Sequence, residues 1–305
     1  MAQLSVTFLG TGGSWPTSQR GLSAIAVKRG GEVLLFDCGE GTQRQLQRSE
    51  LSYQQITRIF LTHYHGDHCF GVPGLVKTMA LNERDRPLHL YGPRGLARMV
   101  DAWRKMGGWT KQFPIQVTEL APGDEVEGDG YTVEVHRADH SVENLTYAIQ
   151  EPDRPGRFNK PRALELGIPE GRMFGQLQRG QSVQLDDGRT ITPDMVLGEA
   201  RQGRRVAYSG DTQPCEGLAS AAAGADLFIC EATFTQDLVE RAREVKHMTA
   251  AEAAAIATHA GAKRLMLTHI SPRYQDATPV LEEAQAVFPT AELAEDLLTT
   301  EVAFP

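Results

Sequence analysis

The sequence predicts an α/β protein of stacked sheets and helices. Short apolar runs recur in both halves, helical patterns stand between them, and several histidines and aspartates follow directly where such runs end. Strand-like runs occupy Leu4 to Leu9, Val33 to Phe36, Arg58 to Thr62, Leu88 to Tyr91, Ile115 to Leu120, Tyr131 to Val135 and Leu145 to Gln150. A second group occupies Arg205 to Tyr208, Leu227 to Cys230, Arg264 to Thr268 and Glu301 to Phe304. Helical patterns fall at Pro93 to Met106, Ala219 to Gly224, Thr249 to Ala260 and Val280 to Val287. Phe60-Leu61-Thr62-His63 is echoed by Met266-Leu267-Thr268-His269, which points to two duplicated halves facing each other across a shared site.

With 305 residues, 41% of them hydrophobic, the chain can bury a large core, and it is read as one domain over 1–305. No apolar run approaches the roughly 18 residues of a membrane helix, and the start has neither a basic n-region nor an apolar h-region. A soluble cytoplasmic protein is therefore expected. Cys38, Cys69, Cys215 and Cys230 form no C-x-x-C pair and read as reduced packing thiols. A formal charge of -8 argues against indiscriminate coating of nucleic acid.

One segment departs from both patterns. Residues 151–180 carry four prolines and five glycines, too many for a long continuous element. Between Arg154 and Arg179 six basic residues face only Glu165 and Glu170. A long basic loop inside an acidic domain reads as an inserted, protruding arm.

The most informative string is His63-Tyr64-His65-Gly66-Asp67-His68, directly after the apolar run Arg58 to Thr62. Gly66 lets the backbone bend so that imidazoles and carboxylate converge, and nitrogen with hard oxygen suits Zn, with Mn or Fe as alternatives. Further ligands should also follow strand-like runs. His140, Asp211 and His269 do so. Seven ligands are too many for one tetrahedral ion and suit two: His63, His65 and His140 for one, Asp67, His68 and His269 for the other, with Asp211 as bridge.

Two ions roughly 3.5–4 Å apart can activate a bridging water and neutralise a phosphate oxygen. Asp67 is the expected proton acceptor. His247 stands two residues before Thr249-Ala250-Ala251-Glu252, a capping box that fixes a helix start, and Glu231 follows a strand-like run. Glu231 is expected to hold one ring nitrogen of His247 while the other serves the leaving group. Asp37, after the run ending at Phe36, is a candidate to orient a ligand histidine, and Gly12 and Gly13 to bring backbone close to the pocket.

The hexad with its later His, Asp and His resembles the metallo-β-lactamase superfamily and, within it, the short form of the tRNase Z family, the tRNA 3'-processing endonucleases. The likeness runs through Phe8-Leu9-Gly10-Thr11-Gly12, Phe36-Asp37-Cys38-Gly39-Glu40-Gly41-Thr42-Gln43, Gly71-Val72-Pro73-Gly74-Leu75, Gly210-Asp211-Thr212, Glu231-Ala232-Thr233-Phe234 and Leu267-Thr268-His269-Ile270-Ser271-Pro272-Arg273-Tyr274. It implies a four-layer αβ/βα sandwich, two Zn ions per subunit, a homodimer, precursor tRNA as substrate and a flexible arm that grips it. Arg157, Lys160 and Arg172 in the basic segment and Arg273 after His269 are then candidate substrate contacts. Two departures stand out: Met248 replaces a hydroxyl residue after His247, and Arg20-Gly21 replaces the frequent Arg-Asn. The rival readings are a small-molecule phosphodiesterase or arylsulfatase-like hydrolase on the same scaffold, and a non-catalytic RNA-binding subunit, which would be expected to lack several ligands.

Overall fold

The computed structural model describes residues 2–107 and 113–304. Its strands are β1 (Leu4–Gly10), β2 (Ala24–Arg29), β3 (Glu32–Phe36), β4 (Ile56–Phe60), β5 (Leu88–Gly92), β6 (Ile115–Glu119), β7 (Glu125–Gly128), β8 (Tyr131–Arg137), β9 (Leu145–Gln150), β10 (Val183–Gln184), β11 (Thr190–Ile191), β12 (Arg205–Tyr208), β13 (Leu227–Glu231), β14 (Leu265–Thr268), β15 (Glu292–Leu293) and β16 (Thr299–Glu301). The α-helices are α1 (Thr42–Arg48), α2 (Gly66–Cys69), α3 (Gly71–Leu81), α4 (Leu96–Gly107), α5 (Lys160–Glu165), α6 (Arg172–Gln178), α7 (Glu216–Ala222), α8 (Val239–Val245), α9 (Ala250–His259) and α10 (Thr278–Gln285).

Two compact units result. The larger comprises residues 1–150 and 205–303. Its strands form two seven-stranded sheets, ordered β16-β1-β2-β3-β4-β5-β6 and β15-β14-β13-β12-β9-β8-β7. Alternating side chains such as Phe36, Phe60, Tyr131, Tyr147, Ile149 and Ile229 fill the space between the sheets. The opposite faces are covered by helices: α3 and α4 supply Leu75, Val76 and Val100 to one layer, while the small residues of α7 and α9 lie close on the other. This is the predicted αβ/βα sandwich.

Both sheets run antiparallel into a parallel set, β3-β4-β5-β6 in one and β12-β13-β14-β15 in the other. The halves thus share a strand order, but the echoed tetrapeptides do not mark it. In this alignment β4 corresponds to β13, whereas the second copy ends β14, so the echo is a local likeness of strand ends.

The smaller unit comprises Glu151–Arg204 with Phe304, wider than the predicted segment 151–180. It has its own small core of Ala163, Ile168, Leu177, Val183, Leu185, Ile191 and Val196. Pro161 and Pro193 stand in the first turns of short helices, where no backbone donor is sacrificed, and Pro152, Pro155 and Pro169 lie outside helices. Over the whole unit nine basic residues meet eight acidic ones, so the basic excess is confined to its first part.

Candidate metal centre

β4 delivers the chain to Thr62, and the hexad opens the short helix α2, with His65 at its N-cap. His140 follows β8, Asp211 follows β12, and His269 follows β14 in a left-handed conformation, φ 55°. Two groups of side chains converge: His63, His65, His140 and Asp211 in one, Asp67, His68, Asp211 and His269 in the other, with all donor atoms of each within 4.8 Å of one another. The structure thus brings together all seven predicted candidate ligands, and Asp211 belongs to both groups.

Hydrogen bonding sets the tautomers. Asp37 can only accept, so the Thr62 hydroxyl donates to it and must accept from His63 Nδ1 at 3.0 Å. His68 Nδ1 donates to Asp37 Oδ2 at 2.7 Å, and His140 Nδ1 donates to the Lys246 carbonyl at 2.9 Å. Thr233 donates to Glu231 Oε2 at 2.6 Å and so accepts from His269 Nδ1 at 2.9 Å. With Nδ1 so occupied, all four histidines direct Nε2 inward, where the lone pair of the neutral ring is available to a metal ion.

The inward nitrogens crowd together: His68 Nε2 lies 3.3 Å from His269 Nε2, and His63 Nε2 and His140 Nε2 lie 2.9 and 3.3 Å from His65 Nδ1. Asp211 Oδ1 is buried with no hydrogen-bond donor. Lone pairs and carboxylates packed this closely need a cation between them. The donor set fits divalent metal ions of the Zn, Mn or Fe kind.

Burial lowers His63, His65 and His140 below the ordinary imidazole value, which keeps the imidazoles of the first group neutral. The second group differs: burial works against charge on His68, but Asp211 and Asp37 outweigh it and raise His68 well above the ordinary imidazole value. His269 and His68 in turn outweigh burial and hold Asp67 and Asp211 well below the usual carboxylate range, so these carboxylates stay ionised beside positive charge, the role a metal ion would take.

Beside this cluster lies a third group, Glu231, His247 and His269. His247 Nδ1 donates to Glu231 Oε1 at 2.9 Å, and its Nε2 lies 4.0 Å from Asp211 Oδ2. Burial works against its charge, but Glu231 dominates and raises His247 to about 9. The predicted capping box at Thr249 is present, fixing the backbone after His247. Met248 is fully buried, with its sulfur 3.7 Å from Cys230 Sγ, so the missing hydroxyl is replaced by core packing.

The other candidates are placed less centrally. Arg273 is exposed; its Nε donates to Ser271 Oγ and its guanidinium lies 4.8 Å over the Phe234 ring. Arg157, Lys160 and Arg172 belong to the smaller unit; all three are exposed, and Lys160 pairs with Glu170 at 2.9 Å. All four cysteines are free thiols, and burial pushes Cys38 and Cys69 up to about 12, which leaves them unreactive.

Thr62 and Thr233, which set two imidazoles, and the Ser14 amide, which donates to Asp67 Oδ2 at 2.7 Å, were not expected from sequence. Thr62 and Thr233 each stand close to an expected residue, the only signal that could have found them. Gly13 does bring backbone close, because a Cβ there would lie 2.3 Å from the His269 ring.

The family comparisons agree with this geometry. Residues 4–150 match the model of the anti-Pycsar protein Apyc1, and residues 176–270 match a beta-lactamase superfamily domain. The chain is 44% identical to ribonuclease Z of Methanosarcina acetivorans, covering 99% of each chain. It is 48% identical to ribonuclease Z of Gemmatimonas aurantiaca, covering 98% of this chain and 96% of the other. Human tRNase Z, short form, superposes with a TM-score of 0.73 at 29% identity, covering 98% of this chain and all of that one. With identity of this order over nearly the whole length, on the sandwich described above, the chain belongs to the ribonuclease Z family of the metallo-β-lactamase superfamily.

Proposed function

We propose that this protein is a zinc-dependent endoribonuclease that removes the 3' trailer from precursor tRNA, leaving a 3'-hydroxyl on the tRNA and a 5'-phosphate on the trailer. One observation carries the reading: a complete seven-residue donor set lies beside an imidazole held by a buried glutamate, in a chain whose full-length relatives are named ribonuclease Z.

His63, His65 and His140 would hold one zinc, Asp67, His68 and His269 the other, and Asp211 both. When bound, such a pair lowers the pKa of water toward neutrality and neutralises charge on a phosphate oxygen. Asp67 takes the proton that the attacking water loses, while Ser14 N–H keeps its carboxylate in place. His247, held charged by Glu231, gives its Nε2 proton to the departing 3' oxygen as the P–O bond breaks. Arg273 lies on the Phe234 face, and Phe234 is a ring neighbour of His247; from there its guanidinium would meet a phosphate of the acceptor end.

The smaller unit serves as the substrate arm within a single catalytic domain, with Arg157, Lys160 and Arg172 on tRNA phosphates. The enzyme acts as a homodimer, as the family resemblance implies, and works in the cytoplasm, where its proposed substrate is processed; no helix among the described residues is long and apolar enough to cross a membrane.

The test is direct. Zinc-loaded protein incubated with a 3'-extended precursor should cut once near the discriminator base, and end analysis should find the 3'-hydroxyl and 5'-phosphate. Hydrolysis of small diesters with no cleavage of the precursor would replace this reading with a small-molecule phosphodiesterase.

A further inference from the structure

We infer that Asp296, remote from the seven candidate ligands, is a positioning residue that tunes the second group of ligands through the loop 11–21; the inference rests on the two-zinc reading above. Asp296 lies where the chain crosses between the two sheets: Ala294 N donates to Leu267 O of β14, and Leu297 N donates to Phe8 O of β1. Leu297 adopts φ 69°, a strained conformation for a branched side chain, so the crossing is tightly specified.

From this point the carboxylate accepts four hydrogen bonds. Oδ1 takes Thr11 N at 3.1 Å and Thr11 Oγ1 at 2.7 Å. Oδ2 takes Gly21 N at 2.7 Å and Gln45 Nε2 at 2.6 Å. Arg20 adds a second tie, with Nη1 donating to Thr11 Oγ1 at 2.6 Å and to Ala294 O at 2.7 Å. Both ends of the loop are therefore fixed to one side chain. Gly21 suits this arrangement, since a Cβ there would stand 3.3 Å from Asp296 Oδ2.

The middle of the same loop touches two candidate ligands. Gly13 packs so closely against the His269 ring that a Cβ would lie 2.3 Å from it, its N–H donates to Ile270 O at 3.2 Å, and Ser14 N holds Asp67 Oδ2 at 2.7 Å. His269 and Asp67 both belong to the second group, and neither belongs to the first. Loosening the loop ends thus disturbs one ion's ligands and spares His63, His65 and His140. Asp296→Asn keeps the shape but places an amide N–H₂ against groups that are themselves donors.

The test is zinc titration of metal-free protein against a chromophoric chelator, with the melting temperature of the metal-free form measured alongside. Asp296→Asn is expected to bind the first zinc as wild type does and the second at least about tenfold more weakly, the lower end for partners that orient ligands. Cleavage should recover as zinc is raised. Thr11→Val, which keeps the carboxylate but removes the shared hydroxyl, should weaken the same ion, and Thr11→Ser should restore it; this pair carries the test if Asp296→Asn does not fold. Unchanged affinity for both ions in the variants that fold, even with a lowered melting temperature, would make the network purely structural and overturn the inference while leaving the two-zinc reading intact. Wild-type protein that binds fewer than two zinc ions would overturn that reading and the inference with it.

Discussion

Asp37 Oδ2 accepts from His68 Nδ1 at 2.7 Å, and the same fully buried carboxylate accepts from Thr62 N and Oγ1 and from Tyr208 OH. One side chain thereby joins the ends of β3, β4 and β12 and sets the tautomers of His63 and His68. Asp37→Asn should weaken zinc binding by about 10- to 100-fold, the usual cost of losing a partner that orients a ligand. It should also lower the melting temperature of the metal-free protein, because buried donors lose their acceptor. Unchanged zinc affinity by chelator competition would show that Asp37 does no more than brace the strands.

Glu231 and His247 predict a dependence on the leaving group. Glu231→Gln removes the charge that keeps His247 protonated, so cleavage of precursor tRNA, whose leaving alkoxide needs a proton, should slow by about 10²- to 10⁴-fold. Hydrolysis of a p-nitrophenyl diester, whose leaving group departs without one, should fall far less. Equal losses on both substrates in single-turnover assays would remove the proton-donor role from His247.

Much of this centre is legible in the sequence, because a short string of ligands at a strand end demands convergence, and His140, Asp211 and His269 repeat that context. Less visible is β2, in which alanines dilute the apolar pattern, although Gly30-Gly31 between Arg29 and Glu32 is a two-residue hairpin turn that could have revealed it. Gly71, Pro73 and Gly74 similarly hide α3, whose proline falls in the first turn, where no backbone donor is sacrificed. The ties from Asp296 and Ser14 cannot be read at all: they join residues 285 and 53 positions apart, and no local pattern records such pairs.

Acid stability should depend on Glu134. His136 and a bidentate Arg205 hold it down to about 2 from the ordinary glutamate value of 4.5. A depressed folded-state pKa contributes stability that is complete above the unfolded value and disappears as pH falls from about 4.5 to about 2. Discounted for its partial exposure, this amounts to about 1 kcal/mol. Glu134→Gln should therefore be less stable than wild type by that amount at pH 7, and the gap should close toward pH 2. A gap that persists undiminished in denaturant titrations at pH 2 would assign the loss to packing.

The smaller unit should separate binding from chemistry. Its charges nearly balance overall, so any attraction for tRNA has to come from its first part, where Arg157 and Arg172 are exposed and Lys160 is paired with Glu170. Replacing Arg157, Lys160 and Arg172 together by alanine should raise KM for precursor tRNA and flatten its salt dependence, by roughly one unit of log–log slope for each phosphate no longer neutralised. Hydrolysis of a small diester should stay at the wild-type rate, because none of the three belongs to the metal groups. Lys160→Ala alone should do least, since it leaves Glu170 unpaired but removes a charge already balanced. Unchanged KM and salt slope in the triple variant would place tRNA recognition on the larger unit.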